Sequence, residues 1–138
     1  MKQWDFKKDR QHWSIVGNTD TGWPLKGALC TTNKRVSGSY FISPLFLLNS
    51  SELKSLVINA KYSGTNSHFF ISFDLFESDL PTKPFAVKTV KDHKLNTYKI
   101  NLKDIPGLKG FIKKLRIFPF SESAELNETV EIKSVEFK

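Results

Sequence analysis

The chain has 138 residues, of which 39% are hydrophobic and 25% charged, enough apolar material for the core of one domain without covalent staples. Its single cysteine, Cys30, excludes an internal disulfide, no Cys and His pair has metal-ligand spacing, and no run is long and apolar enough to span a membrane. Lys and Arg number 21 against 14 Asp and Glu, a net charge of +7, but they stand in ones and twos (Lys7-Lys8, Lys34-Arg35, Lys113-Lys114) without a recognition helix, zinc finger or aromatic-basic RNA motif, so nucleic acid is not an expected partner.

The pattern along the chain has a period of two. Strands are expected at 3–7, around Trp4-Asp5-Phe6, and at 13–17, then at 25–32 and 36–43. Trp4 and Trp13 read as core residues. Between the second and third strands, Asn18-Thr19-Asp20-Thr21-Gly22-Trp23 is the most ligand-like loop, with small polar residues delivering Trp23 beside Pro24. A Trp so placed either stacks on a ligand ring or plugs one end of the core. Leu45-Phe46-Leu47-Leu48 reads most easily as a buried strand and, if exposed, as an apolar contact patch. Ser50-Ser51-Glu52-Leu53 opens at most a short helical turn.

In 53–62, Leu56, Ile58, Ala60 and Tyr62 alternate with Val57, Asn59 and Lys61, which assigns the first set to a buried face. In 68–76, Phe69, Ile71, Phe73 and Leu75 face one way, and His68, Phe70, Ser72, Asp74 and Phe76 the other. Further strands are expected at 84–91, 96–102, 112–118 and 129–137, with a second helical turn near Lys103-Asp104-Ile105. Turn chemistry separates them at Ser63-Gly64-Thr65-Asn66, Asp79-Leu80-Pro81-Thr82, Lys91-Asp92-His93 and Asp104-Ile105-Pro106-Gly107. With no repeat, low-complexity tract or linker, residues 1–138 are expected to form one domain, an all-β, two-sheet antiparallel sandwich whose first and last strands meet.

No catalytic constellation is legible. A glycosidase needs two carboxylates across a cleft, and Asp74, Glu77 and Asp79 are only neighbours along a strand and its turn. His12, His68 and His93 sit in separate segments, Cys30 has no sequence-readable base and reads as a buried small hydrophobe, and the Gly residues are scattered. The sequons Asn49-Ser50-Ser51 and Asn127-Glu128-Thr129 are read as chance triplets. The chain is therefore expected to bind rather than to catalyse.

The succession Trp4-Asp5-Phe6, Trp13, Ser43-Pro44-Leu45, Leu56-Val57-Ile58-Asn59-Ala60-Lys61, Tyr98-Lys99-Ile100-Asn101-Leu102, Gly110-Phe111-Ile112-Lys113-Lys114-Leu115-Arg116-Ile117 and Val130-Glu131-Ile132 resembles the galactose-binding-like β-sandwich of carbohydrate-binding modules, over nearly the whole chain. The resemblance implies a jelly roll of two antiparallel sheets, a polysaccharide or glycan as ligand, and attachment to a carbohydrate-active enzyme. It also implies an extracellular, cell-surface or periplasmic setting within a larger secreted protein, with no membrane partner. Family members often carry Asp where this chain has Phe118 and Lys133, the latter position commonly serving a structural calcium. A Lys ammonium offers a hard cation no oxygen, so no cofactor is expected; a calcium would have only Asp5, Glu131 and backbone carbonyls to draw on.

Sugars are held by aromatic faces against their C–H surfaces and planar polar side chains against their hydroxyls. If the strands at 53–62, 68–76 and 112–118 share a sheet, Asn59, Lys61, Phe70, Ser72, Asp74, Arg116 and Phe118 form one outward patch, with Trp23 as the alternative stacking residue at an end loop. Two bland outcomes stand beside this one, in which the strand at 84–91 covers Phe70 and Arg116 pairs with Asp74. The reading is a non-catalytic module for a glycan, with the net charge pointing to an acidic one; the alternative is a structural or protein-interaction sandwich with no sugar ligand.

Overall fold

The computed structural model describes residues 2–21, 27–35 and 38–138. Eleven strands carry the described chain: β1 (Lys2–Asp5), β2 (Ser14–Val16), β3 (Leu29–Thr32), β4 (Tyr40–Ile42), β5 (Leu48–Asn49), β6 (Ser55–Tyr62), β7 (His68–Leu75), β8 (Phe85–Lys88), β9 (Leu95–Asn101), β10 (Phe111–Phe118) and β11 (Thr129–Phe137). The two short turns expected after Asn49 and Asn101 are single 3-10 turns, each capped by the side chain of that Asn, which accepts from the backbone N–H two residues on.

All pairings are antiparallel and make two sheets. The first sheet runs β1-β11-β6-β9, with β3 sharing the β1 side of β11: β3 pairs residues 129–132 and β1 pairs residues 134–137. The first and last strands do meet. The second sheet runs β2-β4-β10-β7-β8, with β5 lying beside β10 below β4. The expected two-sheet sandwich is present.

Alternation explains the core. Leu56, Ile58, Ala60 and Tyr62 of β6 face Phe69, Ile71, Phe73 and Leu75 of β7 across the interior, joined by Ile112, Leu115 and Ile117 of β10 and by Val130, Ile132, Val135 and Phe137 of β11. Each Leu, Ile, Val or Phe among them contributes roughly 1.5–3 kcal/mol when taken fully from water. One end is closed by aromatic edges, with Trp4 5.3 Å from Trp13 and 5.4 Å from Phe46, and Phe46 5.5 Å from Phe137. The other end is filled by Tyr62, Phe69 and Tyr98, with Phe120 packing edge-on to Tyr62 at 6.3 Å. Trp4 and Trp13 are thus core residues.

Two expectations need correction. Leu45-Phe46-Leu47-Leu48 is no buried strand: Phe46 turns inward, but Leu45 and Leu47 are 66% and 60% exposed. The strands at 53–62, 68–76 and 112–118 do not share a sheet either. β7 and β10 pair with each other, whereas β6 pairs with β9 and β11 on the opposite side of the sandwich.

Candidate functional site

The outward row of the second sheet brings together part of the expected patch. In β10 the alternation that buries Leu115 and Ile117 turns Lys114, Arg116 and Phe118 outward. In β7 it turns out Phe70, Ser72 and Asp74, and the register sets Phe70 opposite Phe118, Ser72 opposite Arg116 and Asp74 opposite Lys114. Arg116 reaches diagonally to Asp74: Nη2 donates to Oδ2 at 3.1 Å, and Nε lies 2.9 Å from Oδ1 as an ionic contact without hydrogen-bond alignment. From the other side β4 delivers Tyr40. Its ring lies 5.0 Å from the Arg116 guanidinium carbon and 5.1 Å from the Phe118 ring, so the guanidinium is clamped between an aromatic face and a carboxylate. The pair, with side chains 25% and 14% exposed, fixes the fork of donors in one orientation.

Phe70 and Phe118 open at their far end into a cleft of about 770 Å³, lined further by Asn33, Arg35, Gly38, Ser39, Pro84, Phe120, Ser121, Glu122 and Ala124. Phe70 is half-buried with Pro84 beside the cleft, so β8 and its approach flank it without covering it. Ser72, by contrast, is only 2% exposed and donates to the Thr82 carbonyl at 2.5 Å, which removes it from any ligand surface.

Buried amides hold the cleft wall. Asn66 donates to the carbonyls of His68 at 2.9 Å and Pro119 at 3.2 Å, and accepts from the Ser121 N–H at 2.7 Å and hydroxyl at 3.0 Å. Its side chain is fully used to tie the segment carrying Phe120, Ser121 and Glu122 to β7. Asn33 donates to the carbonyls of Ala124 at 3.2 Å and Glu125 at 2.9 Å. Ser67, Ser121 and Ser123 share a hydroxyl cluster to which His68 Nδ1 is joined at 2.9 Å from Ser67 Oγ. Behind it, Glu128 accepts from the Thr65 N–H at 2.6 Å and hydroxyl at 2.8 Å. Burial pushes the Glu128 pKa up, but hydrogen bonds from Thr65, with those from the Glu125 and Asn66 backbone, together outweigh it and hold the carboxyl below its ordinary value. Gly64 adjoins this carboxylate with φ +108°, a position where a Cβ would both strain the backbone and run into Glu128.

Asn59 and Lys61 are not part of this arrangement. They lie on the outer face of the first sheet, where Asn59 donates to Ser134 Oγ at 2.7 Å and accepts from Thr97 Oγ1 at 2.5 Å. Lys61 stands in register with Glu131. Alternation assigned both residues correctly to an outward row, but of the wrong sheet for the patch. Trp23 lies outside the described residues. Tyr40, Phe120, Asn33, Ser121 and Glu122 were not foreseen, and Arg35 was considered only as a neighbour of the Trp23 loop; the apolar Phe118-Pro119-Phe120 run was the one signal visible in the sequence.

Asp5 and Glu131, the side chains named for a calcium, do not gather with further oxygen ligands among the described residues. A calcium ion needs a shell of several oxygens. Glu131 sits 3.9 Å from Lys133 Nζ, Asp5 Oδ1 accepts from the Lys7 N–H at 3.4 Å, and Asp20 is engaged by the buried Arg10 at 2.5 Å. Among the described residues no three acidic or ligating side chains gather. Beside Arg10 and Asp20, the Cys30 thiol is pushed up to about 11 by burial and then by Glu131 and Asp20, so it stays protonated and inert at neutral pH.

No protein-family model and no curated protein sequence matches the chain. Solved structures do share its fold. A non-crystalline-cellulose-specific carbohydrate-binding module of family 28 superposes with a TM-score of 0.62 at 15% identity, covering 95% of this chain and 89% of that one. The family 11 carbohydrate-binding module of a cellulosomal cellulase of Clostridium thermocellum gives 0.60 at 9% identity, covering 97% and 92%. A variant of a family 29 carbohydrate-binding module complexed with cellulohexaose gives 0.60 at 15% identity, covering 99% and 90%. At these identities the likeness is one of fold.

Proposed function

We propose that this chain is a non-catalytic carbohydrate-binding module whose ligand lies on the outer face of the second sheet and enters the cleft beside it. The observation that carries the reading is the juxtaposition of Phe70, Phe118 and Phe120 with the Tyr40-clamped Arg116–Asp74 pair. Rings offer flat apolar contact to a pyranose, and the locked fork offers donors at fixed angles to its hydroxyls or carboxylate. Asp74, Arg116, Phe70 and Phe118 are the proposed ligand residues of the sequence-level set. The shared sandwich of modules that bind cellulose or cellulohexaose supports a glycan as ligand. Asp74 is committed to Arg116 and the cleft lining holds one carboxylate, Glu122, which supports binding over two-carboxylate hydrolysis.

The ligand is proposed to be acidic, a uronic or sulfated glycan. Arg35, Lys88 and Lys114 lie on this face or its cleft against Glu122, while Arg116 and Asp74 offset each other. In this reading the module holds an attached carbohydrate-active enzyme near its polysaccharide outside the cell. The test is affinity electrophoresis in neutral and acidic polysaccharides at two salt concentrations, with Phe118→Ala beside the wild type. Retardation by an acidic glycan that persists at the higher salt and is lost in the variant supports the site. Retardation that vanishes with salt reduces the effect to diffuse attraction. No retardation by any polysaccharide transfers weight to a protein-interaction sandwich, a reading favoured by exposed Leu45 and Leu47.

A further inference from the structure

The far end of the same face carries a second group of apolar side chains that the site above does not use. Phe76 and Phe111, 50% and 41% exposed, lie side by side, the Phe76 N–H donating to the Phe111 carbonyl at 3.0 Å. Leu47 projects outward from the segment paired along β10, where the Phe46 N–H donates to the Lys113 carbonyl at 2.9 Å. A bulge between Ile112 and Lys114 leaves both Lys113 and Lys114 half-exposed, and Lys113 Nζ stands 5.7 Å from the centre of the Phe76 ring. Neither lysine has an ion-pair partner among the described residues.

We infer that Phe76 and Phe111 form a second stacking station for the same glycan, so that the module binds an extended internal stretch of an acidic chain and not a chain end or a short oligosaccharide. This rests on the glycan reading above. The chemistry favours this occupant over a protein: two exposed rings followed along β10 by Lys113 and Lys114, neither in an ion pair among the described residues, match sugar faces and carboxylates of one chain, whereas a protein-docking patch would leave both cations to be desolvated. The stations also lie on one strand. Phe118 and Phe111 are the two ends of β10, separated by about 23 Å at the usual rise of an antiparallel strand. The turn of Ser78, Asp79, Leu80 and Pro81 encloses a small cavity of about 60 Å³ against Asp74, Arg116 and Lys113, which roofs the β7 side. The open path therefore runs past Arg116 and Lys114 on β10, with Tyr40 and Leu47 as its other bank.

The test is calorimetric titration with size-graded oligogalacturonides and heparin-derived oligosaccharides, from trimer to octamer, of the wild type, Phe76→Ala/Phe111→Ala and Lys113→Ala. The expected result is that wild-type affinity rises about tenfold or more between trimer and octamer, and that each variant flattens this rise to within about twofold while leaving trimer binding and thermal stability unchanged. Equal wild-type affinity for trimer and octamer, or a length dependence retained by both variants, overturns the second station and leaves the cleft site standing. Absence of any binding by the wild type to both classes overturns the glycan reading itself, and this inference with it.

Discussion

Arg116 shows how a side chain that pairs with a neighbour can still be a ligand residue. Its bond to Asp74 uses Nη2, its stacking on Tyr40 uses the guanidinium face, and Nη1 makes only a 3.5 Å contact with the Tyr40 hydroxyl. A free donor edge thus remains, held at a fixed angle. Arg116→Lys keeps the charge and loses the fork. It is expected to weaken glycan binding by about tenfold while the chain stays folded; titration calorimetry beside thermal melts checks both, and full binding by the lysine variant refutes a role for the fork. Asn59→Ala and Lys61→Ala serve as the opposite control, since both side chains stand on the other sheet, and unchanged affinity is expected.

Glu128 makes a separate residue-scale prediction. Its folded pKa lies below the ordinary 4.5, so its hydrogen bonds to Thr65 stabilise the fold fully above that value and are lost as pH falls through it towards the lower folded pKa. Denaturant melts are expected to show stability falling below about pH 5, with a shallower fall in Glu128→Gln. Identical slopes for the two proteins assign the acid sensitivity to other carboxylates.

Strand by strand, the faces were legible in the sequence and the partners were not. Period-two alternation placed Leu115 and Ile117 inside and Arg116 and Phe118 outside, because a pleated strand leaves each residue only two directions. Nothing in that alternation says whether β6 lies beside β7 or across the core from it. That choice depends on long-range pairing: β6 takes β11 and β9, and β10 takes β7 and β4. Asn59 and Lys61 were lost from the patch for this reason alone. The Leu45-Phe46-Leu47-Leu48 run failed differently, because composition indicated burial on both sides while the segment lies along an edge of its sheet and turns only Phe46 and, in part, Leu48 to the core. The cleft was least legible, since its wall comes from loops whose positions are set by Asn33 and Asn66 across long sequence separations.

These differences have measurable consequences for the elements. Ile117→Ala empties a fully buried position in the central strand β10 and is expected to cost about 2–5 kcal/mol, whereas Leu47→Ala at an exposed position is expected to stay within about 0.5 kcal/mol. Urea denaturation of both variants decides this; comparable losses would mean that the 45–48 segment is packed after all. Asn66→Ala frees the segment holding Phe120 and Ser121 and leaves their backbone partners unsatisfied, so it should weaken binding more than an equally destabilising core substitution such as Val135→Ala.

At the scale of the molecule, the sandwich separates two surfaces of different character. The outer face of the first sheet is a polar ladder in which Thr97, Asn59 and Ser134 satisfy one another, and its edge strand β9 exposes Lys99. The outer face of the second sheet bears rings at both ends, with Lys113, Lys114 and the Arg116–Asp74 pair between them. An excess of +7 over the whole chain is therefore less informative than where the cations stand. The calcium question also belongs to this scale. With Asp20 held by Arg10 and Glu131 beside Lys133, removal of divalent ions by a chelator is expected to leave the melting temperature unchanged. A chelator-dependent fall would show that a cation is gathered by groups other than these.

The central claim is that a glycan lies on the second sheet, and it is tested most directly by mapping backbone amide shifts during titration with oligogalacturonides and heparin oligosaccharides. Perturbations are expected only in β4, β7 and β10 and in the cleft segments around Asn33 and Ser121, with β6, β9 and β11 silent on their outer rows. Perturbations centred on Asn59, Lys61 and Thr97, or none at saturating concentrations of both ligands, would contradict it.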